Sequence, residues 1–252
     1  GDYSDFDSWL EKCKLEHRTT WIIRGTKGLA GLCIVKERSD DRGKALKLCT
    51  FKVSHEHSGL RFGELLLKAV FGYANDNGIS ALYVTVFPHH DVLVSLFESF
   101  GFKIERERTR IGELVMRKSF EWSEADRAAL SPLDFNIRFG PSAMKIDPDH
   151  LFVVPIEPRF HSRLFPEVEA QANLFPGSSP FGNAIRKAYV CHSPNRQVEP
   201  GSTLLFYRSS NLRALTCVGV AEQTLSSSTV DEVASFVGTR TIFSYDEIDS
   251  MC

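Results

Sequence analysis

The residues with the clearest chemical potential run Ser58-Gly59-Leu60-Arg61-Phe62-Gly63-Glu64. They follow Phe51-Lys52-Val53, the end of an apolar segment, and open a run with apolar residues at Phe62, Leu65, Leu66, Ala69, Val70 and Tyr73. That spacing predicts a helix with one apolar stripe. The first four amide N–H groups of a helix have no internal partner and lie at the positive end of its dipole, so this helix start suits an anion, typically a phosphate. Gly59 and Gly63 let such a ligand approach the main chain closely. The neighbouring Glu56 and the imidazoles of His55 and His57 add groups that could take a proton, histidine having an ordinary pKa near ~6.5.

Several elements must position this loop. Before it, Tyr3, Phe6, Trp9, Leu10 and Cys13 have helical spacing. Thr19 to Arg24 and Leu29 to Val35 then read as a hairpin turning at Gly25-Thr26-Lys27-Gly28,. A polar loop, Ser39 to Gly43, leads to a strand from Ala45 to Val53. After the helix come an apolar strand from Ile79 to Phe87, a short helix ending Leu96-Phe97-Glu98-Ser99-Phe100-Gly101-Phe102, and a charged alternating stretch, Lys103 to Arg108, turning near Thr109-Arg110. Ile111 to Arg117 reads as a last strand.

Strand, phosphate loop, helix, strand, helix and closing Gly-Phe, in that order, resemble the GNAT superfamily of acyl-CoA-dependent N-acyltransferases over residues 1 to about 120. The resemblance implies an α/β domain with a mixed, mostly antiparallel sheet flanked by helices. It also implies acetyl-CoA as cosubstrate, held at Phe51, Lys52, Val53, Ser58, Gly59, Leu60, Arg61, Phe62, Gly63 and Glu64. The family's loop pattern is Arg or Gln, two residues, Gly, one residue, then Gly or Ala; Ser58, Arg61 and Gly63 stand at the matching positions, so only the last glycine is kept. Backbone amides do not depend on side-chain identity. Where many members carry a Tyr that protonates the departing thiolate, this chain has Phe97. Glu56, His57 and Thr85 are the remaining catalytic candidates, and of Tyr83 and Thr85 at most one is expected to line an acceptor cleft. Cys49 is read as a packed thiol rather than a nucleophile. Neither His55-x-His57 nor His89-His90-Asp91 has the spacing of a strong metal site, so no metal is expected.

Residues 121–143, with Ser131-Pro132 and Gly140-Pro141, read as a linker,. Beyond it, His150 to Ile156, Ile185 to Cys191, Glu199 to Arg208, Leu212 to Glu222 and Thr239 to Ile248 suggest closely spaced strands, with a Pro/Gly/Ser-rich loop from Asn173 to Asn183. A Pro-Gly turn into Leu-Leu-Phe-Tyr-Arg and a strand ending Val-Gly-Val-Ala-Glu resemble PUA-like β-barrel domains of the ASCH and EVE kind over residues 144–252. That resemblance implies RNA or a modified nucleobase as partner, with Phe206, Arg208 and Arg240 as candidate contacts by stacking and charge. Alternation sends Phe206 and Arg208 to one face and Tyr207 to the other.

The 252 residues have room for two domains, and a net charge of −2 gives no overall basic footprint for nucleic acid,. Six scattered cysteines without a CxxC pair read as reduced thiols of a cytoplasmic protein,. No apolar run approaches the ~20 residues that cross a bilayer. A start at Gly1 rather than Met is read as a cleaved tag or a segment of something longer, with an upstream domain or partner missing. Two functions from different classes follow. One is an acetyl-CoA-dependent N-acetyltransferase whose second domain recruits an RNA-borne acceptor such as an aminoacyl-tRNA. The other is a catalytically degenerate GNAT fold serving as a CoA- or RNA-binding module, resembling the GNAT halves of bacterial PIN-GNAT toxin-like proteins.

Overall fold

Residues 5–25, 28–40, 43–106, 112–168, 179–193, 195–210 and 212–252 are described by a computed structural model. Tyr3, Thr26 and Lys27 of the first turn, Asp41 and Arg42 of the polar loop, the turn at Thr109-Arg110 with Ile111, and most of the loop from Asn173 lie outside the described residues. Two compact units divide the chain: Gly1–His57 with Leu66–Glu121, and Ser58–Leu65 with Trp122–Cys252.

In the first unit, α1 (Phe6–Leu15) precedes strands β1 (Thr20–Gly25), β2 (Gly28–Asp40) and β3 (Gly43–Val53). Helix α2 (Phe62–Asp76), strand β4 (Ala81–Val86), helix α3 (Asp91–Ser99) and strands β5 (Lys103–Arg106) and β6 (Leu114–Ser119) follow. The strands form one mixed sheet in the order β1-β2-β3-β4-β6-β5. All neighbours are antiparallel except β3 and β4. A parallel pair needs a crossover, and α2 supplies it. Its Leu66, Leu67, Val70, Phe71 and Ala74 are buried. The apolar stripe is therefore rotated from the predicted one: Leu67, Phe71 and Ala74 go inward, while Tyr73 sits at the flank. There the Tyr73 hydroxyl donates to Glu37 Oε1 at 2.6 Å and the ring meets Trp21 edge-on at 5.6 Å. A phenol with an acceptor in reach gains more at the boundary than in the core.

The second unit holds α4 (Glu124–Ala129), α5 (Pro132–Phe139), β7 (Leu151–Ile156), α6 (Pro158–Leu164), α7 (Pro180–Asn183), β8 (Thr203–Arg208), β9 (Ala214–Val220), α8 (Val230–Val237) and α9 (Tyr245–Asp249). The residues read as a linker hold two capped helices. Ser123 and Asp126 form a capping box on α4, and the Ser131 hydroxyl accepts the Asp134 N–H at 3.0 Å with Pro132 opening α5,. Phe135 and Phe139 are buried, and Trp122 packs edge-on against Phe135 at 5.6 Å.

No closed barrel is found among the described residues. Among the described residues the second unit has one open three-stranded sheet, β7-β8-β9, parallel then antiparallel. One face packs on a core of Ile156, Leu164, Phe165, Phe206 and Ile242, while Val153, Leu215 and Val218 on the other are exposed. Ile185 to Cys191 forms no strand: the amides of Ile185 and Arg186 are bonded to the Glu64 carboxylate and that of Ala188 to the Arg240 carbonyl, not to a neighbouring strand. Thr239 to Ile248 gives a 3-10 turn (Gly238–Arg240) and α9, because Ser244 and Glu247 close a capping box. Among the described residues no helix is long and apolar enough to cross a membrane.

One core position of the first unit is unexpected. Lys118 on β6 is opposite Leu82 of β4, is only 1% exposed, and holds its ammonium 5.7 Å from the ring centres of Phe71 and Phe120. Burial pulls its pKa down to about 7. The unfolded chain, with an ordinary lysine pKa, binds more protons than the folded chain between about 7 and about 10.4, so stability rises with pH across that window. Lys118→Met removes this dependence. Its gain in stability is largest near pH 7, roughly 1.4 kcal/mol for each unit of lowered pKa, and shrinks toward pH 10 in urea unfolding of the two proteins. A constant difference between pH 7 and 10 would contradict this.

Candidate functional site

In the first unit the feature that can receive a ligand begins at a bulge. Strands β3 and β4 pair from Ala45 with Ala81 to Leu48 with Val84. Across the other edge of β3, Ile34 of β2 is opposite Thr50 but Val35 is opposite Leu48, so Cys49 is an extra residue. A bulge bends and twists the strand that carries it. Beyond it, Phe51, Lys52 and Val53 pair with Cys33, Leu32 and Gly31 of β2 alone, while Thr85 and Val86 pair with Val115 and Leu114 of β6. The two parallel strands thus part at their carboxyl ends, the place where open α/β sheets bind ligands.

Phe51 and Phe97 close off the base of this parting. Their rings meet edge-on at 5.2 Å, and Phe97, fully buried, also touches Phe102 at 4.9 Å. Phe97 is thus a core side chain with no proton to donate. Burial pushes the Cys49 thiol up in pKa, which suits a packed thiol rather than a nucleophile,. Tyr83 and Thr85 are two residues apart on β4 and both half-buried, so they share a face rather than pointing to opposite ones,. The 3-10 turn His55–His57 follows β3 directly. Glu56 in it is exposed, whereas the His57 ring lies so close to Gly25 that a Cβ there would be 2.4 Å from His57 Nε2. Of the proton-transfer candidates, His57 is thus packed against β1, and Glu56 and Thr85 stay available.

The predicted phosphate loop, Ser58–Leu65, is counted with the second unit, and α2 crosses the division. Gly59 has φ +86° with open space where a Cβ would stand, and Arg61 has φ +58°, so the backbone enters α2 through two left-handed positions,. Phe62 is buried, and Ser58 and Gly59 are exposed. The Leu60 carbonyl accepts Asn183 Nδ2 at 2.8 Å, and Arg61 Nε donates to Thr239 Oγ1 at 3.2 Å. Burial and the neighbouring Arg240 guanidinium lower the Arg61 pKa, Glu64 opposing them.

Glu64 is the residue that the sequence did not single out from its neighbours. Its side chain is 4% exposed in the first turn of α2. Oε2 accepts the amides of Ile185 and Arg186 at 2.9 and 3.2 Å and Arg240 Nη1 at 3.1 Å; Oε1 faces Arg240 Nη2 at 2.9 Å and Arg61 Nη1 at 3.8 Å. Arg240 also donates to the Arg186 carbonyl at 2.7 Å. A glutamate in a first helical turn ordinarily complements the dipole from solvent, and nothing in the sequence marks this one as buried. Of the three candidate RNA contacts, Phe206 is core, touching Phe165 at 4.9 Å and Tyr189 at 6.0 Å, and Arg240 is committed to Glu64. Arg208 is half-buried at the end of β8.

Residues 1–102 match the family model described as "Acetyltransferase (GNAT) family". No curated protein matches the chain. Solved structures that resemble it include an IAA acetyltransferase from Bacillus cereus, at 14% identity over 44% of this chain and 81% of that one with TM-score 0.37. The PaiA N-acetyltransferase of Thermoplasma acidophilum, in complex with coenzyme A, is 19% identical over 47% of this chain and 72% of its own, with TM-score 0.38. A GNAT family acetyltransferase from Elizabethkingia anophelis with acetyl-CoA bound is 14% identical over 46% of this chain and 84% of its own, with TM-score 0.37.

The packing of Phe97 yields a test. Phe97→Tyr would bury a hydroxyl among Phe51 and Phe102, at a cost of about 1–3 kcal/mol for an unsatisfied group,. Chemical denaturation should show that loss, and an acetyl-transfer assay should show no gain. A stable variant with increased turnover would mean that the position faces the reacting centre.

Proposed function

We propose that the chain is an acetyl-CoA-dependent N-acetyltransferase, with residues 1–102 as its acyltransferase part. The observation that carries this is local and sequential: in the segment matching the GNAT model, β3 leaves β4 at the Cys49 bulge and runs into a glycine-bearing loop that opens a long helix. Backbone amides at the start of α2 would hold the pyrophosphate, an assignment that needs no particular side chain. The lone pair of an acceptor amine attacks the thioester carbonyl, the C–S bond breaks, CoA leaves as thiolate, and the nitrogen gives up its proton to water. With Phe97 at the usual acid position, the thiolate leaves unassisted or takes a proton from water.

A second reading has its own support. The same buried Phe97, which puts no acid at the usual position, favours a GNAT fold that binds CoA without turning it over. The RNA link has less: stacking through Phe206 and phosphate contact through Arg240 would each require breaking a packed or paired side chain.

Calorimetric titration with acetyl-CoA and with CoA, followed by acetyl transfer to a panel of amines, separates the readings. Binding with turnover supports the enzyme, and binding without it supports the second reading. At about a hundred times Kd, either ligand should stabilise the protein by ~2.7 kcal/mol. Gly63→Trp should abolish both binding and stabilisation. Wild-type protein that binds neither ligand would overturn both readings.

A further inference from the structure

The clasp around Glu64 has a use beyond holding the chain together. Two backbone amides and a forked guanidinium converge on one carboxylate that is itself 4% exposed. All of these groups lie in the second unit, to which the loop Ser58–Leu65 also belongs. A fully formed negative charge in the first turn of α2 competes with any anion at that helix end. Like charges near one another in a partly buried setting repel more strongly than in water, and the repulsion counts several times over for a ligand carrying several phosphates. Arg240 cancels that charge from 2.9 Å. With Arg61 3.8 Å from the same carboxylate, the three side chains sum to one positive charge, whereas Glu64 and Arg61 without Arg240 sum to zero.

Arg240 is too committed to act as a phosphate ligand. Nη1 is shared between Glu64 and the Arg186 carbonyl, and Nη2 faces Glu64 Oε1. It acts through Glu64. Building on the acetyl-CoA reading above, we propose that Arg240 is a positioning and neutralising residue for the phosphate end of the cosubstrate: it holds the start of α2 in place and removes the Glu64 charge that would otherwise repel the ligand. Residues far along the chain would then govern affinity for the charged part of CoA without touching it, and would leave binding of its neutral arm unaltered.

The test is a charge cycle on the full chain, read by calorimetry with CoA and, in parallel, with S-acetylpantetheine, which carries the thioester but no phosphate. Arg240→Gln takes one positive charge from the group and should weaken CoA binding about tenfold at low salt, less at high salt, while the affinity for S-acetylpantetheine is unchanged. Glu64→Gln leaves Arg240 uncompensated and should tighten CoA binding severalfold. The double variant returns the group to the wild-type sum of one positive charge and should return CoA affinity to within about threefold of wild type.

A purely structural clasp gives a different pattern: both single variants weaken CoA and S-acetylpantetheine alike, and the double variant is no better than either. That outcome, or an Arg240→Gln protein with wild-type affinity for CoA, overturns the proposal while the acetyl-CoA reading stands. Should Arg240→Gln fail to fold, Glu64→Gln alone decides, because tighter binding supports the proposal and weaker binding overturns it. Wild-type protein that binds no CoA overturns both this proposal and the reading it rests on.

Discussion

A carboxylate loses most of its hydration on entering a protein interior, and it stays ionised there only if donors replace the water it gives up. Glu64 meets that condition with donors from three places in the sequence: the amides of Ile185 and Arg186, the guanidinium of Arg240, and more distantly Arg61. Much else in the second unit follows from satisfying it. The segment from Ile185 spends its amides on Glu64 instead of on a strand ladder, and the 3-10 turn at Gly238–Arg240 brings Arg240 to the same carboxylate. Removing one partner would leave a buried charge exposed to its full desolvation cost, so the group is conformationally exacting whatever its net contribution to stability.

The first unit rests on a different constraint, the parting of two parallel strands. Cys49 adds one residue to β3 and bends it away from β4 at the point where the sequence turns from apolar to polar. The rings of Phe51, Phe97 and Phe102 then fill the base of the opening with hydrocarbon. A tyrosine hydroxyl in the place of the Phe97 ring edge would have to find a partner there. The parting of the strands and the absence of a hydroxyl at position 97 thus meet in one aromatic cluster.

Much of the first unit was legible in the sequence, because its signals are local. The hairpin turning at Gly25 to Gly28, the strand ending at Val53 and the long helix from Phe62 all arise from alternation, turn residues and helical spacing that survive into the fold. The rotation of the α2 stripe was not legible, since Leu65 and Leu67 are equally apolar and only the position of the sheet chooses between them. In the second unit, Ser123-x-x-Asp126 and Ser244-x-x-Glu247 were present as capping signatures, yet the Pro and Gly residues around the first and the β-rich residues before the second suggested a linker and a strand. The candidate site divided in the same way. The loop's glycines and helix start could be read from spacing, whereas the burial of Glu64 depends on partners more than a hundred residues away.

Distance along the chain also sets an order in time. Glu64 and Arg240 are 176 residues apart, so their ion pair closes one of the longest loops in the molecule and repays its closure entropy only after much of the intervening chain is ordered,. On a ribosome adding about 5–20 residues per second, Arg240 is made roughly ten to thirty-five seconds after Glu64. During that interval the start of α2 carries its carboxylate with Arg61 alone beside it, a nascent state one positive charge short of the finished group.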